Sequence, residues 1–527
     1  MKRIIIALTV LSSVSFISAQ TIFEASRSSQ SDIRGSARYM GVAGAFGALG
    51  GDVSAIKDNP AGLGVFRKSE LTVSFAAGVQ DVDSKWYDQE TNEHTYKAKL
   101  NNFGLVFASK TWRAESGYSG LLSSNFSFNY NKIADFNRTA NILGGQTNKS
   151  MTDYFAAFTG MKTESQLLNA NYEPYYNNPA VSWMSAMACY GGLIREHNNS
   201  SGDFDGWQSF LSGVDVLSPA YYIEERGGID EYSFGWSGNF SNRFYVGATF
   251  NWKNLDYSMY SSYNEKYVNL PGSVTDRNIQ LDNWLNTTGK GFDVGFGVIA
   301  VPLDFLRLGL SVKTPTFYKM SQNNFGKLYF TSDLYNGNTG TPEDNYLNYK
   351  LQTPLQFNIS AAFISGKKGL LSAEYVYRDY KNMKFVSVDG YNFSDENTYM
   401  KNMFKNSRTI KVGAEYRLTD NFSVRGGYAN TSSLTENNAQ KILSSTTIRT
   451  DPEYFTHDYT NYFSLGFGYR ESDWYADVTY SNVQNKGSYF SYNPNVVESS
   501  LFPSYKADPA DVTTKEQNLT FTFGFKF

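Results

Sequence analysis

The residue types best suited to metal binding or catalysis are scarce in this sequence of 527 residues, which has three histidines and one cysteine. The lone Cys189 excludes a disulfide scaffold and a Cys-rich metal site. His94, His197 and His457 fall in three separate predicted loops and lack the spacing of metal or haem ligands. Asp458 follows His457, but adjacent residues rarely face one another as a catalytic base and its partner do. We therefore expect no enzyme activity, no metal site and no cofactor.

A glycine-rich stretch, residues 27–66, is the second segment whose composition could carry chemistry. Small residues recur through 41–51, as they do in loops that bind phosphate groups. No Gly-Lys-Ser/Thr ending follows and no predicted strand precedes the run, so a nucleotide site is disfavoured. Glycine permits tight turns, and the Asn59-Pro60 pair forces a bend. The stretch therefore predicts a compact coil folded inside the mouth of a barrel. The barrel itself is predicted independently, by the strand pattern described next.

Apolar and polar residues alternate with a period of two through most of the chain. At 519–527 a Leu or Phe occupies every odd position, and Thr, Gly or Lys lies between them. Segments of this kind run for about ten residues, the length of a tilted strand that crosses a membrane. Fourteen of them occur, at 69–79, 100–110, 121–131, 230–241, 243–254, 290–301, 305–314, 354–365, 369–380, 408–418, 421–430, 461–470, 473–483 and 517–527.

These segments predict an all-β protein, a fourteen-stranded antiparallel transmembrane β-barrel. The alternative is a soluble sandwich of two sheets, which explains the alternation but not the connections. Tight turns such as 241–243 alternate with much longer gaps, as in outer-membrane barrels with short periplasmic turns and long external loops. With the first gap, 80–99, taken as a long loop, we expect both chain ends in the periplasm.

The largest insertion, 132–229, lies between the third and fourth predicted strands. It holds two apolar groups: Met151, Tyr154, Phe155 and Phe158 at helical spacing, and Val181, Trp183, Met184, Met187 and Ala188. Two interpretations stay open. These side chains pack together as a lid, or they stay exposed and collect an apolar solute at the cell surface.

Alternation also places charged side chains on the inward face of the predicted strands: Arg307, Lys313, Glu374, Arg378, Lys411, Glu415, Arg417, Arg425 and Asp477. A ladder of mixed sign usually fastens a barrel to its plug through ion pairs, and we favour this interpretation. A carboxylate ligand would still need a cation, because an unpaired charge in an apolar pocket is costly. The candidate ligand-binding residues are five of these cations, Arg307, Lys313, Lys411, Arg417 and Arg425.

The first nineteen residues have the pattern of a secretory signal peptide. Lys2 and Arg3 precede an apolar run, and Ser18-Ala19 ends it. The chain carries a net charge of −3 at pH 7 and has no basic block, so nucleic acid is not an expected partner. The predicted location is the outer membrane of a Gram-negative bacterium.

The segment before the first strand resembles the hatch of the FadL and TodX type of outer-membrane transporters for long-chain fatty acids and other hydrophobic compounds. The resemblance rests on the strand count and on Arg38, the 41–51 run, Asp52, Ser54-Ala55 and above all Asn59-Pro60-Ala61-Gly62-Leu63. Together with the signal peptide at 1–19, it implies a hatch at 20–68 inside the lumen and a barrel at 69–527. The large insertion 132–229 in this barrel departs from the family's pattern, so loop-borne ligand contacts of the family are not carried over. The residues it assigns to the hatch and its gating are Gly35, Arg38, Gly41, Gly44, Asp52, Asn59, Pro60, Ala61 and Gly62.

The resemblance implies passive uptake of hydrophobic small molecules such as fatty acids. Loops would capture the molecule, an apolar-walled site would hold it, and movement of the hatch would let it pass. The alternative is a plugged barrel that acts as a scaffold or shuttle partner of a secretion or surface-assembly machine. Outer-membrane lipid would surround the barrel, and the final Phe525-Lys526-Phe527 resembles the signal read by the barrel-assembly machinery during biogenesis.

Overall fold

The structure, a computed structural model, describes residues 22–115, 119–210, 216–268, 278–331, 336–343, 345–366, 368–386, 388, 392–493 and 508–527. The predicted signal peptide, 1–19, lies outside these residues. Within them no helix has the length and apolar character needed to cross a membrane. The α-helices are α1 (Ile22–Ser28), α2 (Ala37–Gly41), α3 (Trp112–Glu115), α4 (Met151–Thr159), α5 (Glu164–Leu167), α6 (Trp183–Tyr190) and α7 (Ser394–Met403), and the 3₁₀ helices are Val53–Lys57, Pro60–Val65 and Tyr380–Asn382.

Strands make up most of the described chain. They are β1 (Glu70–Trp86), β2 (Gln89–Lys110), β3 (Leu121–Asp135), β4 (Arg138–Leu143), β5 (Ile194–Asn198), β6 (Phe204–Ser209), β7 (Val216–Phe240), β8 (Phe244–Val268), β9 (Asn278–Leu303), β10 (Leu306–Lys313), β11 (Phe317–Thr331), β12 (Asn336–Gly340), β13 (Tyr346–Gln352), β14 (Gln356–Ser365), β15 (Gly369–Arg378), β16 (Lys384–Val386), β17 (Ser407–Arg417), β18 (Phe422–Ser432), β19 (Tyr454–Arg470), β20 (Trp474–Phe490) and β21 (Ala510–Lys526).

A closed barrel of fourteen antiparallel strands confirms the predicted fold. The ring runs β1-β2-β3-β7-β8-β9-β10-β14-β15-β17-β18-β19-β20-β21, and β21 pairs with β1. Each of the fourteen predicted segments lies on one of these strands. Closure leaves no sheet edge in the ring, and unpaired edges are what a bilayer tolerates least.

The alternation sorts side chains between the outer surface and the lumen. On β21 the outward Phe521 and Phe523 are 54% and 51% exposed, whereas Thr520 and Thr522 between them are buried inward. Exposed Phe, Leu, Ile, Val and Tyr side chains repeat this arrangement on the neighbouring strands. The outer surface is therefore a band of apolar and aromatic groups, which suits lipid contact.

Short connections gather at one end of the barrel, which we call the turn end, and long ones at the other, the loop end. The turn-end connections join β2 to β3, β7 to β8, β9 to β10, β14 to β15, β17 to β18 and β19 to β20. The prediction of a long loop at 80–99 is wrong, because β1 and β2 continue as a hairpin that turns at Tyr87-Asp88. Beyond residue 79 the outward face of β1 becomes polar, with Asp81, Asp83 and Lys85, so the apolar alternation fades while the backbone pairing continues.

The insertion between β3 and β7 folds into a packed body at the loop end. Helix α4 begins with a capping box between Ser150 and Asp153. Met151, Phe155 and Met187 are buried in a core shared with α1 and with the outer parts of β7, β8 and β9. The packed-lid interpretation is confirmed, and the interpretation of an exposed collecting patch is wrong. Strands of 25 or 26 residues extend the wall and supply the core that these side chains need.

Helix α1 lies inside the lumen, toward its loop end, whereas the expectation that the chain begins on the periplasmic side concerns residues outside the described ones. Its Phe23 ring lies 5.0 Å from the ring of Tyr454, the first residue of β19. The Arg27 guanidinium lies 3.9 Å from the centre of the Tyr257 ring on β8. From α1 the chain descends through the lumen to β1, whereas β21 ends at the turn end beside the start of β1.

Candidate functional site

The segment 22–68 fills part of the lumen, and we call it the hatch. The nine residues that the resemblance assigned to it are buried, except for the half-buried Arg38. The Asp52 carboxylate caps the 3₁₀ helix Val53–Lys57 by accepting from the Ser54 amide at 2.9 Å, and it accepts from the Ser36 hydroxyl at 2.7 Å. Gly44 has a φ of +69°, a conformation that favours glycine. These local devices give the hatch a defined fold.

Asn59 organises the turn that leads to the barrel. It is 2% exposed, and its Nδ2 donates to the Gly47 carbonyl at 2.6 Å and to the Val298 carbonyl on β9 at 3.3 Å. Its Oδ1 accepts from the Ala61 amide at 3.1 Å, which caps the 3₁₀ helix that Pro60 begins. The side chain thus ties two parts of the hatch together and joins them to the wall.

Polar side chains of the wall hold the hatch largely through its main chain. Ser311 and Asn358 both donate to the Asp58 carbonyl, at 2.6 and 3.1 Å. Further donors reach other hatch carbonyls: Thr479 to Ala37 at 2.6 Å, Tyr462 to Met40 at 3.0 Å, and Asn125 to Leu63 at 2.9 Å. Polar side chains on the inward strand faces therefore supply the hydrogen-bond donors that the backbone carbonyls of the hatch need.

Glycines on the inward strand faces let the hatch approach the wall closely. An added Cβ would lie 2.5 Å from a hatch carbonyl oxygen at three of them: Gly413 against Val42, Gly247 against Pro60, and Gly309 against Gly47. These contacts were not predicted from the sequence. Glycine at inward positions of predicted strands was the available signal, but it indicates only that something comes close, and not which segment does.

An ion-pair chain links the hatch to three strands of the wall. Arg38 pairs with Glu415 on β17 at 2.9 Å, and Glu415 also accepts from Arg425 on β18 at 2.7 Å. Arg425 in turn donates to Asp477 on β20 at 2.6 Å. Arg425 therefore pairs with two carboxylates of the wall, and Arg38 is the residue by which the hatch joins this series of ion pairs.

A second cluster surrounds Asp58. Lys411 pairs with Glu374 at 2.9 Å and lies 3.9 Å from the Asp58 carboxylate. Burial opposes ionisation of Asp58, but the ammonium groups of Lys57 and Lys411 outweigh it and lower the pKa of the carboxyl to about 2. Asp58 thus stays charged at ordinary pH and holds the hatch against the wall.

The remaining candidate cations are not gathered into one ligand site. Arg307 donates to the hatch carbonyl of Leu49 at 2.6 Å, and Lys313 pairs with Glu231 at 2.8 Å. Arg417 is exposed at the turn-end terminus of β17. Four of the five candidates contact the hatch or wall carboxylates, so this arrangement supports the interpretation that the charge ladder fastens barrel and plug. Ligand binding by these five stays a prediction.

A cavity of about 410 Å³ lies in the lumen beside the hatch. It reaches from Lys57 and Asp58 up to α1 and to Glu453 and Tyr454 near the loop end. The expectation of an apolar wall is wrong, since aromatic side chains alternate with many charged ones. The inward faces of the strands are polar, and α1 adds its own charges.

Most cavity charges have partners, and three form no ion pair within the described residues: Arg378, Glu453 and the exposed Lys486. Arg449 pairs with Glu24 at 2.8 Å and with Asp451. Arg378 donates to the Gln356 amide oxygen at 3.0 Å but forms no ion pair in the described part of the chain. Both carboxyl oxygens of Glu453 lack a hydrogen-bond partner there, and burial together with nearby Asp451 raises the pKa of Glu453 to about 8. Arg378 was among the predicted inward charges, whereas Glu453, in a predicted loop, was missed.

The three histidines lie on strands β2, β5 and β19 and not in loops as predicted. His94 hydrogen-bonds Asp81 on the outer hairpin, and His457 contacts Thr460 at 2.8 Å. In the described residues, no group of three or more His, Cys, Asp or Glu side chains could hold a metal ion.

The fold and the site together define a fourteen-stranded barrel plugged by its own N-terminal segment. No family model and no curated protein matches the sequence. A solved structure with the same fold is that of a Pseudomonas aeruginosa FadL homologue, at a TM-score of 0.50 and 13% identity over 95% of this chain and 100% of that one. The FadL and TodX type resemblance is therefore confirmed for the fold. Two toluene transporters also align, each at 99% of its own length: Pseudomonas putida TodX (TM-score 0.46, 10% identity, 95% of this chain) and Ralstonia pickettii TbuX (0.44, 12%, 94%).

Proposed function

We propose that this protein is an outer-membrane channel for the passive uptake of hydrophobic compounds, long-chain fatty acids among them. The observation that carries the proposal is a closed barrel with an apolar outer band, whose lumen holds a folded hatch and a cavity beside it. In a Gram-negative outer membrane the turn end would face the periplasm and the loop end the outside. A solute would enter from the loop end, rest in the cavity and pass when the hatch moves.

The contacts of the hatch favour a gate that is shut at rest. Its main chain is held by hydroxyl and amide groups of the wall, and its charges are held by ion pairs such as Arg38 with Glu415. Such contacts are individually modest, typically about 1 kcal/mol for a neutral hydrogen bond, and directional. A solute that displaces several of them could shift the hatch without any energy source beyond its own gradient.

The polar lining of the cavity suits an amphipathic solute better than a wholly apolar one. Arg378 at the loop-side end of β15 lines the cavity without a carboxylate partner among the described residues. A fatty-acid carboxylate would supply that partner, because guanidinium and carboxylate form strong charge-assisted hydrogen bonds. We therefore propose Arg378 as the residue that holds the fatty-acid head group.

The test compares Arg378→Gln with Arg408→Gln in cells supplied with labelled fatty acid. Arg408 is the matched control, since it lies beside Tyr377 in the β15–β17 pairing and is exposed. We expect Arg378→Gln to reduce uptake roughly tenfold at limiting substrate, the effect of losing about 1.4 kcal/mol. Arg408→Gln should match the parent. Equal uptake by the parent and both variants, with equal amounts of heat-modifiable barrel, would refute the proposal that Arg378 holds the head group.

The scaffold alternative is favoured by one observation, the fastening of the hatch to nearly every side of the wall. A plug held this firmly also suits a barrel that serves as an anchor for another protein. Extraction in mild detergent separates the two functions. Bound fatty acid or related lipid supports uptake, and a stoichiometric protein partner supports the scaffold.

A further inference from the structure

Glu453 occupies an unusual position for a carboxyl group. It directly precedes β19, is 6% exposed and lines the loop-side end of the cavity. Neither of its carboxyl oxygens has a hydrogen-bond partner among the described residues. Burying an ionised carboxylate without a partner is costly, so the site favours a cation that pairs with Glu453 and stabilises its charged form.

The cations nearest to Glu453 are already engaged by other carboxylates. Lys441 donates to the Asp451 carboxylate at 2.8 Å and reaches only the main-chain carbonyl of Glu453, at 3.3 Å. Arg449 donates to Asp451 at 2.6 Å and to Glu24 at 2.8 Å. Glu453 is therefore the surplus acid of this cluster, and the protein supplies no cation to it within the described residues.

Aromatic rings border the same end of the cavity, and this region already holds cations against such rings. Tyr221, Tyr454 and Phe455 line the cavity next to Glu453. The Arg138 guanidinium lies 4.3 Å from the centre of the Phe455 ring. Carboxylate and aromatic faces together are the surroundings in which proteins bind ammonium groups.

We propose that Glu453 and these aromatic rings form a recognition site for the protonated amine of an amphipathic solute. The ammonium group donates to the Glu453 carboxylate, and the apolar body of the solute lies along Tyr221, Tyr454 and Phe455. A volume of about 410 Å³ is within the range of small-molecule sites. The proposal deepens the uptake function and rests on it, because it names a second class of solute for the same cavity.

Three soluble probes with one phenylethyl body test the head-group preference: 2-phenylethylamine, 2-phenylethanol and phenylacetate. Their affinities are measured by calorimetry on the purified full-length protein in non-ionic detergent at pH 8.5. We expect the amine to bind at least tenfold more tightly than the alcohol. Glu453→Gln, which keeps the shape of the side chain, should abolish that preference. Glu343→Gln, at an exposed loop position, should retain it.

An amine that binds no better than the alcohol to the parent protein overturns the proposal without any variant. A preference that persists in correctly assembled Glu453→Gln overturns it as well. Glu453→Asp, which retains the negative charge, should keep part of the preference and shows that the charge matters and not only the packing. Fatty-acid uptake is measured separately on Arg378→Gln, so failure of the uptake proposal and failure of the amine site give different results.

Discussion

Asn59→Ala is the sharpest test of whether the hatch is a gate. The substitution removes three hydrogen bonds, two within the hatch and one, at 3.3 Å, to the Val298 carbonyl of the wall. At about 1 kcal/mol each, the total is about 3 kcal/mol. Only the wall bond breaks if the hatch moves as a rigid unit, whereas all three break if it unfolds. The first case predicts roughly a fivefold rise in a small open fraction, and the second a rise of roughly 150-fold.

Planar-bilayer conductance of the purified variant measures the open fraction. Asn171→Ala is the control, since Asn171 is exposed in the loop-end insertion and far along the chain from the hatch. Heat-modifiable migration confirms that each barrel has assembled. If assembled Asn59→Ala conducts like the parent and takes up labelled fatty acid at the same rate, the hatch does not act as a gate and the scaffold function gains support.

Further predictions concern the packing of the hatch against the wall, the ion pairs between them, and the assembly of the barrel. Gly413→Val should loosen the hatch by about 1 to 3 kcal/mol, because its Cβ would collide with the Val42 carbonyl, and the leak should appear in conductance. Glu415→Gln should also raise conductance, since it removes the shared acceptor of Arg38 and Arg425; an unchanged leak would show that this ion-pair chain is dispensable. The Asp58 pKa of about 2 lies below its ordinary value of 3.8, so the contribution of Asp58 to holding the hatch is complete above about pH 4 and is lost toward pH 2; the conductance should rise as the pH falls through that window, and no rise there would contradict the role of Asp58. Phe527→Ala should lower the yield of heat-modifiable barrel if the aromatic end of the last strand is read during assembly, and a normal yield would contradict that role.

The sequence by itself determined the barrel strands, because the information is local. Whether Phe521 faces lipid and Thr520 faces the lumen follows from the two-residue period of one strand, and fourteen repetitions of that pattern gave the strand count. The bend at Asn59-Pro60 was predictable for the same reason, since the side chain of Asn59 caps its own turn. Where residues 80–99 leave the apolar band, the local pattern disappears and the continuing hairpin could not be predicted.

Only the tertiary structure decided what the inward side chains do. Gly47 and Glu374 lie 327 residues apart in the chain, yet the Gly47 amide donates to that carboxylate at 2.8 Å. Nothing in the two local sequences indicates this pairing, because barrel closure and the path of the hatch bring them together. The same holds for Glu453, whose neighbours in sequence resemble any polar loop. Its lack of a partner is a property of the folded lumen, where burial and the prior engagement of Lys441 and Arg449 leave it alone among the described residues.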